Sequence, residues 1–331
     1  MKIAIAQINT TIGDFEGNFA KISDAYKRGV ESGVSLVLTP EMALTGYPPR
    51  DLLLRKDFVE KNLSVLDKLK NIVGKVGLVV GYVDRNSKKP GRDLTNSVAI
   101  IQNNKILATR SKTLLPTYDV FDEDRYFEPA TENLPVVFND EKIGLTICED
   151  IWNDEDFWRD RRYRRNPPEE LFKAGAELLI NISASPWHLG KNKTRQEMLM
   201  NLSRKFKKPV IYCNLVGGND ELVFDGGSMA YNENGEMVAY GSTFKEDFLI
   251  ADINSNLSVE AAQMPNEEYI YRALVIGLRD YVYKCGFKSV VLGLSGGIDS
   301  AITACMAAEA VGNENVMGVS LPSQFSSKGS L

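Results

Sequence analysis

The sequence predicts a layered α/β fold built on mixed sheets, and three observations point to it. Short runs rich in β-branched residues alternate with amphipathic stretches of helical period. Two-residue turns of Asn with Asn, Asp or Gly recur between neighbouring apolar runs, which requires antiparallel pairs beside the helical crossovers. No internal repeat or low-complexity segment competes with this pattern.

The elements follow in order. Residues 3–8 form the first strand. A helix over 18–32 follows, with Phe19, Ile22, Ala25, Tyr26 and Gly29 on one face and Gly33 as its stop. The strand at 35–38 ends at Pro40-Glu41, and a second helix covers 58–73. Strands at 77–83 and 97–101 come next. Asn103-Asn104 separates 98–101 from 106–109, Asn139-Asp140 separates 135–138 from 142–147, and Asn234-Gly235 separates 228–231 from 237–240. Asn and Gly suit these turns because they tolerate left-handed backbone. Residues 178–182 and 210–214 are further strands, each preceded by a helical stretch.

A first domain is expected over 1–253 and a polar linker with Pro265 over 254–266. A second domain then begins over 267–331. It has a helix at 267–285, a strand at 289–294, a glycine loop, a helix at 301–311 and a strand at 316–321. One strand–helix–strand unit with a leading helix closes no core of its own, so this domain is expected to be incomplete.

Bulk properties exclude several function classes. The 331 residues carry a net charge of -5, which argues against a nucleic-acid partner. The basic run Arg159, Arg161, Arg162, Arg164 and Arg165 is flanked by Asp154, Glu155, Asp156 and Asp160, and reads as a solvated, salt-bridged insertion. No window approaches a membrane span, and the apolar start of the chain is too short for a signal peptide. Cys148, Cys213, Cys285 and Cys305 form no CxxC pair, which disfavours zinc and disulfides and suggests a reduced, cytoplasmic protein. The single histidine, His188, must serve any Ser-His-Asp or Cys-His mechanism, or such mechanisms are excluded.

Three polar residues sit at expected strand ends, where loops gather functional groups at one rim. Glu41 lies in Thr39-Pro40-Glu41-Met42, Lys112 in Ser111-Lys112-Thr113-Leu114-Leu115-Pro116, and Cys148 in Cys148-Glu149-Asp150-Ile151-Trp152. Amide cleavage by cysteine needs a base, a nucleophile and an oxyanion stabiliser. A carboxylate can take the thiol proton. An ammonium can lower the thiol pKa and hold the oxyanion.

The order Pro40-Glu41, Lys112-Thr113-Leu114-Leu115-Pro116, Cys148-Glu149-Asp150 resembles the nitrilase/amidase superfamily, over roughly residues 1–253. The resemblance implies an α-β-β-α sandwich with Glu41 as base, Lys112 as stabiliser and Cys148 as nucleophile. The segments 118–123 and 181–186 resemble the glutaminase domains of glutamine-dependent NAD synthetases. That likeness implies glutamine as substrate and Glu123 as a supporting carboxylate. It also implies glutamine-binding roles for Tyr118, Ser185 and Lys191, with Lys193 and Arg195 as like-charged neighbours of the last. Trp152 either walls the pocket or packs in the core.

Gly293 and Leu294 end a strand, and Ser295, Gly296, Gly297, Ile298, Asp299 and Ser300 connect it to a helix. Their backbone N–H groups and the helix start suit a phosphate cradle. The Gly-Lys-Ser/Thr ending of a Walker A loop is missing. The loop, with 271–281 upstream and 321–327 downstream, resembles the Rossmann-like ATP-pyrophosphatase domain of the same synthetases. That resemblance implies ATP, a Mg2+ ion assisted by Asp299, deamido-NAD as second substrate, and a homo-oligomer. Two other readings stay open: a general carbon–nitrogen hydrolase acting on another amide, and a nucleotide-binding scaffold with an inert amidase fold.

Overall fold

The computed structural model describes residues 1–255, 257–322 and 324. Asn256 of the expected linker, and Ser323 and Phe325 to Ser327 of the downstream motif, lie outside the described residues. In chain order the elements are β1 (Lys2–Gln7), α1 (Phe15–Glu31), β2 (Leu36–Leu38), α2 (Lys56–Ile72), β3 (Gly77–Arg85), β4 (Leu94–Gln102), β5 (Lys105–Ser111), β6 (Val136–Phe138), β7 (Glu141–Ile147), α3 (Pro167–Lys173), β8 (Leu178–Ser183), α4 (Lys191–Phe206), β9 (Val210–Asn214), β10 (Val216–Asn219), β11 (Leu222–Asp225), β12 (Met229–Tyr231), β13 (Met237–Tyr240), β14 (Asp247–Asp252), α5 (Asn266–Lys284), β15 (Val290–Gly293), α6 (Ile298–Val311) and β16 (Val316–Val319). They divide into two compact units, Met1–Val216 with Phe224–Ala261, and Gly217–Val223 with Ala262–Leu331. The β10–β11 hairpin has no counterpart among the sequence expectations, and its tip groups with the C-terminal unit.

The first unit holds two six-stranded sheets, ordered β14-β1-β2-β3-β4-β5 and β13-β12-β9-β8-β7-β6. Each has three parallel strands at its centre, β1-β2-β3 and β7-β8-β9. Each is flanked by antiparallel strands. Strand side chains alternate between faces. Ile3, Ile5, Leu36 and Leu38 of one sheet therefore share a buried cluster with Ile143, Leu145, Ile180 and Ile182 of the other. Each such side chain contributes about 1.5–3 kcal/mol on burial.

Helices cover the outer faces. Val37 points away from the shared cluster toward α1, where a Cβ on Gly29 would lie 2.3 Å from its Cγ2. Helix α2 is tied to β3 by Asn62, whose amide donates to Val83 O. Leu171 of α3 and Met198, Leu199 and Leu202 of α4 pack on Leu179, Tyr212 and Met229 of the second sheet. The layers are thus α-β-β-α.

The three Asn turns close hairpins, with Asn103, Asn104, Asn139 and Asp140 all at positive φ (49°, 60°, 48° and 67°). Helix α1 starts earlier than periodicity suggests because Asp14 caps it, accepting from Gly17 N at 3.0 Å. Among the described residues no helix is long and apolar enough to cross a membrane.

The second unit contains α5, α6 and a parallel pair β15–β16 around Val282, Ala310 and Val311. Gly218 N donates to Asp280 at 2.8 Å, and Lys284 donates to Gly218 O at 2.9 Å. Helix α6 begins at Ile298. Ile298, Asp299 and Ser300 therefore form its first turn and are not loop residues as expected.

Candidate active site

The site is assembled where strands of the first unit end. Glu41 follows β2, Lys112 follows β5, Cys148 follows β7 and Ser185 follows β8. The Glu41 loop lies directly on β3. A Cβ on Gly81 would come within 2.5 Å of both Met42 N and Pro40 O, which are backbone atoms with nowhere to go. Gly81→Ala is therefore expected to lose about 1–3 kcal/mol of stability through overpacking. A thermal melt checks this, and an unchanged Tm would mean that the loop does not rest on β3.

Glu41, Lys112 and Glu123 form one buried cluster. Lys112 Nζ donates to Glu41 Oε1 at 2.8 Å and to Glu123 Oε1 at 2.9 Å. The Lys112 and Glu41 side chains are 1% and 0% exposed. Glu41 Oε1 also accepts from Asn96 Nδ2 at 2.7 Å, and its Oε2 accepts from Ala184 N at 2.8 Å. Tyr47 donates to Glu123 Oε1 at 2.8 Å. Burial opposes the Lys112 charge, but Glu123 and Glu41 together hold its pKa well above the ordinary lysine value. Burial raises the Glu123 carboxyl above its usual range, against the pull of Lys112.

Cys148 is 4% exposed and sits at φ 44°, a left-handed conformation that non-glycine residues rarely adopt. Asp150 holds this turn. Its carboxylate accepts from Ile147 N at 2.9 Å, Thr113 N at 2.9 Å and Leu114 N at 2.8 Å. One buried side chain thereby ties the cysteine turn to the lysine loop, while burial pushes its own pKa up to about 7. The thiol responds to both charged partners. Burial first and the Glu41 carboxylate next raise its pKa well above the ordinary value, and Lys112 offsets this only in part. Lys112 thus pulls the thiol pKa down, as expected of an ammonium, but burial and the Glu41 carboxylate outweigh it.

A family model for carbon-nitrogen hydrolases matches residues 2–263. The chain belongs to the carbon-nitrogen hydrolase family. A second model, NAD synthase, matches residues 270–331. The chain is 43% identical to the glutamine-dependent NAD(+) synthetase of Synechocystis sp., covering 99% of this chain and 61% of that protein. It is 38% identical to the enzyme of the same name from Thermotoga maritima, over 100% of this chain and 62% of that protein. It therefore spans about three-fifths of the relatives it matches. The structure of the glutamine-dependent NAD+ synthetase from Acinetobacter baumannii, in complex with ADP, superposes with a TM-score of 0.89. It is 35% identical and covers 99% of this chain and 61% of that one. An amidase from Nesterenkonia sp. shares the fold, with a TM-score of 0.65 at 21% identity over 76% of this chain and 89% of its own.

Within this carbon-nitrogen hydrolase unit two tyrosines meet at Glu149. Tyr118 donates to Glu149 Oε1 at 2.7 Å, and Tyr163 donates to the same atom at 3.0 Å. Arg162 stacks over the Tyr118 ring at 4.0 Å, while Arg161 pairs with Glu155 at 3.4 Å and Arg165 with Glu170. Of the basic run, Arg161 pairs with a flanking acid as read, Arg165 pairs with the more distant Glu170, Arg162 covers an aromatic ring, and the flanking Asp154 and Asp156 pair with Lys205. Lys191 is the first residue of α4. Its Nζ donates to Pro186 O at 2.8 Å and lies 5.3 Å from the Trp152 ring. Burial, with Arg195 adding to it, lowers its pKa. Its like-charged neighbours are engaged elsewhere: Arg195 pairs with Asp225 in the core, and Lys193 is exposed near Glu197. Trp152 stacks on Trp158 with ring centroids 5.7 Å apart, and Ser185 is buried with its N–H on Asn214 Oδ1. His188 is exposed. Asn96, Asp150, Tyr47, Tyr163 and the Glu149 carboxylate were not singled out from sequence. Glu149 and Asp150 stand in the cysteine motif without a role being read for them, and no local motif marks Asn96, Tyr47 or Tyr163, whose partners lie far along the chain or in another loop.

In the second unit, Gly296 takes φ 79° and Gly297 precedes α6 with no side-chain cap on the helix start. Ser300 Oγ donates to Gly297 O at 2.9 Å, and the loop is exposed. Open N–H groups at a helix start beside glycines fit an anionic phosphate. Asp299 stands alone there, since the described residues hold no cluster of three His, Cys, Asp or Glu groups able to bind a metal.

Proposed function

We propose that residues 1–253 hydrolyse the side-chain amide of glutamine, with Cys148 as nucleophile, Glu41 as proton acceptor and Lys112 as oxyanion partner. One observation carries this reading: a buried ammonium 2.8 Å from a buried carboxylate, both acting on a buried thiol in a left-handed turn. Glu41 takes the thiol proton as Sγ bonds to the amide carbon. Lys112 and the Glu149 backbone N–H meet the charge that develops on the carbonyl oxygen. The C–N bond breaks, the leaving nitrogen takes the proton from Glu41, and ammonia departs to leave a thioester. Water then gives a proton to Glu41, its oxygen attacks the thioester, and glutamate leaves as the thiol reforms. Glu123 holds Lys112 in place.

Tyr118, Ser185 and Lys191 would hold the head of glutamine, the lysine against its α-carboxylate, with Trp152 as a wall. The Glu149 carboxylate is a natural match for the α-ammonium.

The likeness to glutamine-dependent NAD synthetases supports a wider proposal for the whole protein. There the ammonia would amidate deamido-NAD to NAD. Residues 293–300 would hold the phosphates of ATP, which supplies the adenylate that activates the carboxylate. A Mg2+ ion assisted by Asp299 would be held chiefly by phosphate oxygens. A cytoplasmic homo-oligomer belongs to the same proposal. Over 1–331 alone, glutamine hydrolysis is the expected activity.

Ammonia release tests the reading. Glutamine should exceed propionamide at least about a hundredfold in kcat/KM, because the amide without a charged head forfeits the polar anchors. Equal use of both would favour a general amide hydrolase, and release from neither would favour an inert fold.

A further inference from the structure

Asn96 lies in β4 and is 1% exposed. Its Nδ2 donates to Glu41 Oε1 at 2.7 Å and lies 3.4 Å from Glu123 Oε2. Its backbone oxygen accepts from Lys112 N at 2.8 Å. One uncharged side chain thus meets both carboxylates of the cluster, and its backbone meets that of Lys112. The amide can face only one way, because the reverse would set its carbonyl against two carboxylates. Its Oδ1 is consequently buried without a partner.

Counting acceptor positions explains the function. A carboxylate offers about four lone-pair sites. Glu41 receives three donors: Asn96 and Lys112 on Oε1, and Ala184 N on Oε2. One site stays open for the proton of Cys148. We infer that Asn96 is a positioning residue that keeps Glu41 turned so that its open site receives the thiol proton. This rests on the reading of Glu41 as the base.

The groups acting on Glu41 are Lys112 after β5, Glu123 in the 3-10 turn that follows, Cys148 after β7 and Tyr47 in its own loop. Of these, Lys112 alone is cationic. Losing the Asn96 donor removes one of the two hydrogen bonds that Glu41 Oε1 accepts and leaves Lys112 alone on that atom.

The test uses the full chain in wild-type form and as Asn96→Ala and Asn96→Leu, the second keeping the core filled. Two pH profiles are measured: kcat/KM for ammonia release from glutamine, and the rate of iodoacetamide alkylation at Cys148, read by peptide mass spectrometry. In both variants the acidic limb of each profile should move up by about one pH unit. Near neutral pH, kcat should fall about tenfold or more, with KM within about twofold. Lower activity with unmoved limbs in a variant of wild-type Tm would mean that Asn96 merely packs, and would overturn the inference. Alkylation limbs that move while even the wild type releases no ammonia would sink the glutamine reading and leave the Asn96 inference standing.

Discussion

Cys148→Ala is expected to release ammonia from glutamine at least about four orders of magnitude more slowly than the intact chain. The size of the effect follows from what would remain. Glu41 would still accept a proton and Lys112 would still hold an oxyanion, but only water could attack, and it would lack the fixed place of the sulfur. His188, the single histidine, is exposed and supplies no imidazole to activate that water. The variant should fold. Removing one sulfur from a residue 4% exposed leaves a small void, and the turn is still held by the three bonds to Asp150. A circular-dichroism melt close to wild type, together with lost ammonia release, is the expected pair of results. Undiminished release from the folded variant would remove Cys148 from the chemistry.

The Glu41, Lys112 and Cys148 contexts were legible because each sits where an apolar run stops, and because their order along the chain resembles a family. The sandwich was legible for a related reason. Asn103-Asn104, Asn139-Asp140 and Asn234-Gly235 mark hairpins by local chemistry alone. Asn96 was not legible. It sits inside a strand, reads as one more polar residue in an alternating run, and finds Glu41 across 55 positions. Asp150 looks like a surface acid until its three backbone donors are seen, two of them from the lysine loop. The β10–β11 hairpin escaped because Gly217 and Gly218 break the apolar alternation that marks a strand. The start of α6 was misplaced for want of a capping side chain: Gly297 at its N-cap gives no sequence signal to set against the glycine loop.

Lys112→Met should cost both activity and stability, and the pH dependence separates the two causes. In the native cluster one ammonium serves two carboxylates, with all three groups buried. Methionine matches the shape and removes the charge. Removing one partner from such a cluster costs about 3–5 kcal/mol, because the other charges stay behind without compensation. For a unit of this size that is a Tm loss of roughly 6–20 °C. The two carboxyls can relieve the strain only by taking up a proton. Burial already raises Glu123, and without Lys112 the protonated form gains further. The folded variant then binds protons more tightly than its unfolded chain. Its stability relative to wild type is therefore best below the unfolded carboxylate pKa, about 4.3, and worsens as pH rises through the higher folded value. The Tm gap between variant and wild type should accordingly widen from pH 5 to pH 8. Ammonia release should fall by a further hundredfold or more at every pH, since the oxyanion loses its cation. A gap that stays constant with pH would show that the two carboxylates do not depend on Lys112 for their charge. The mechanism would then lose its electrostatic partner.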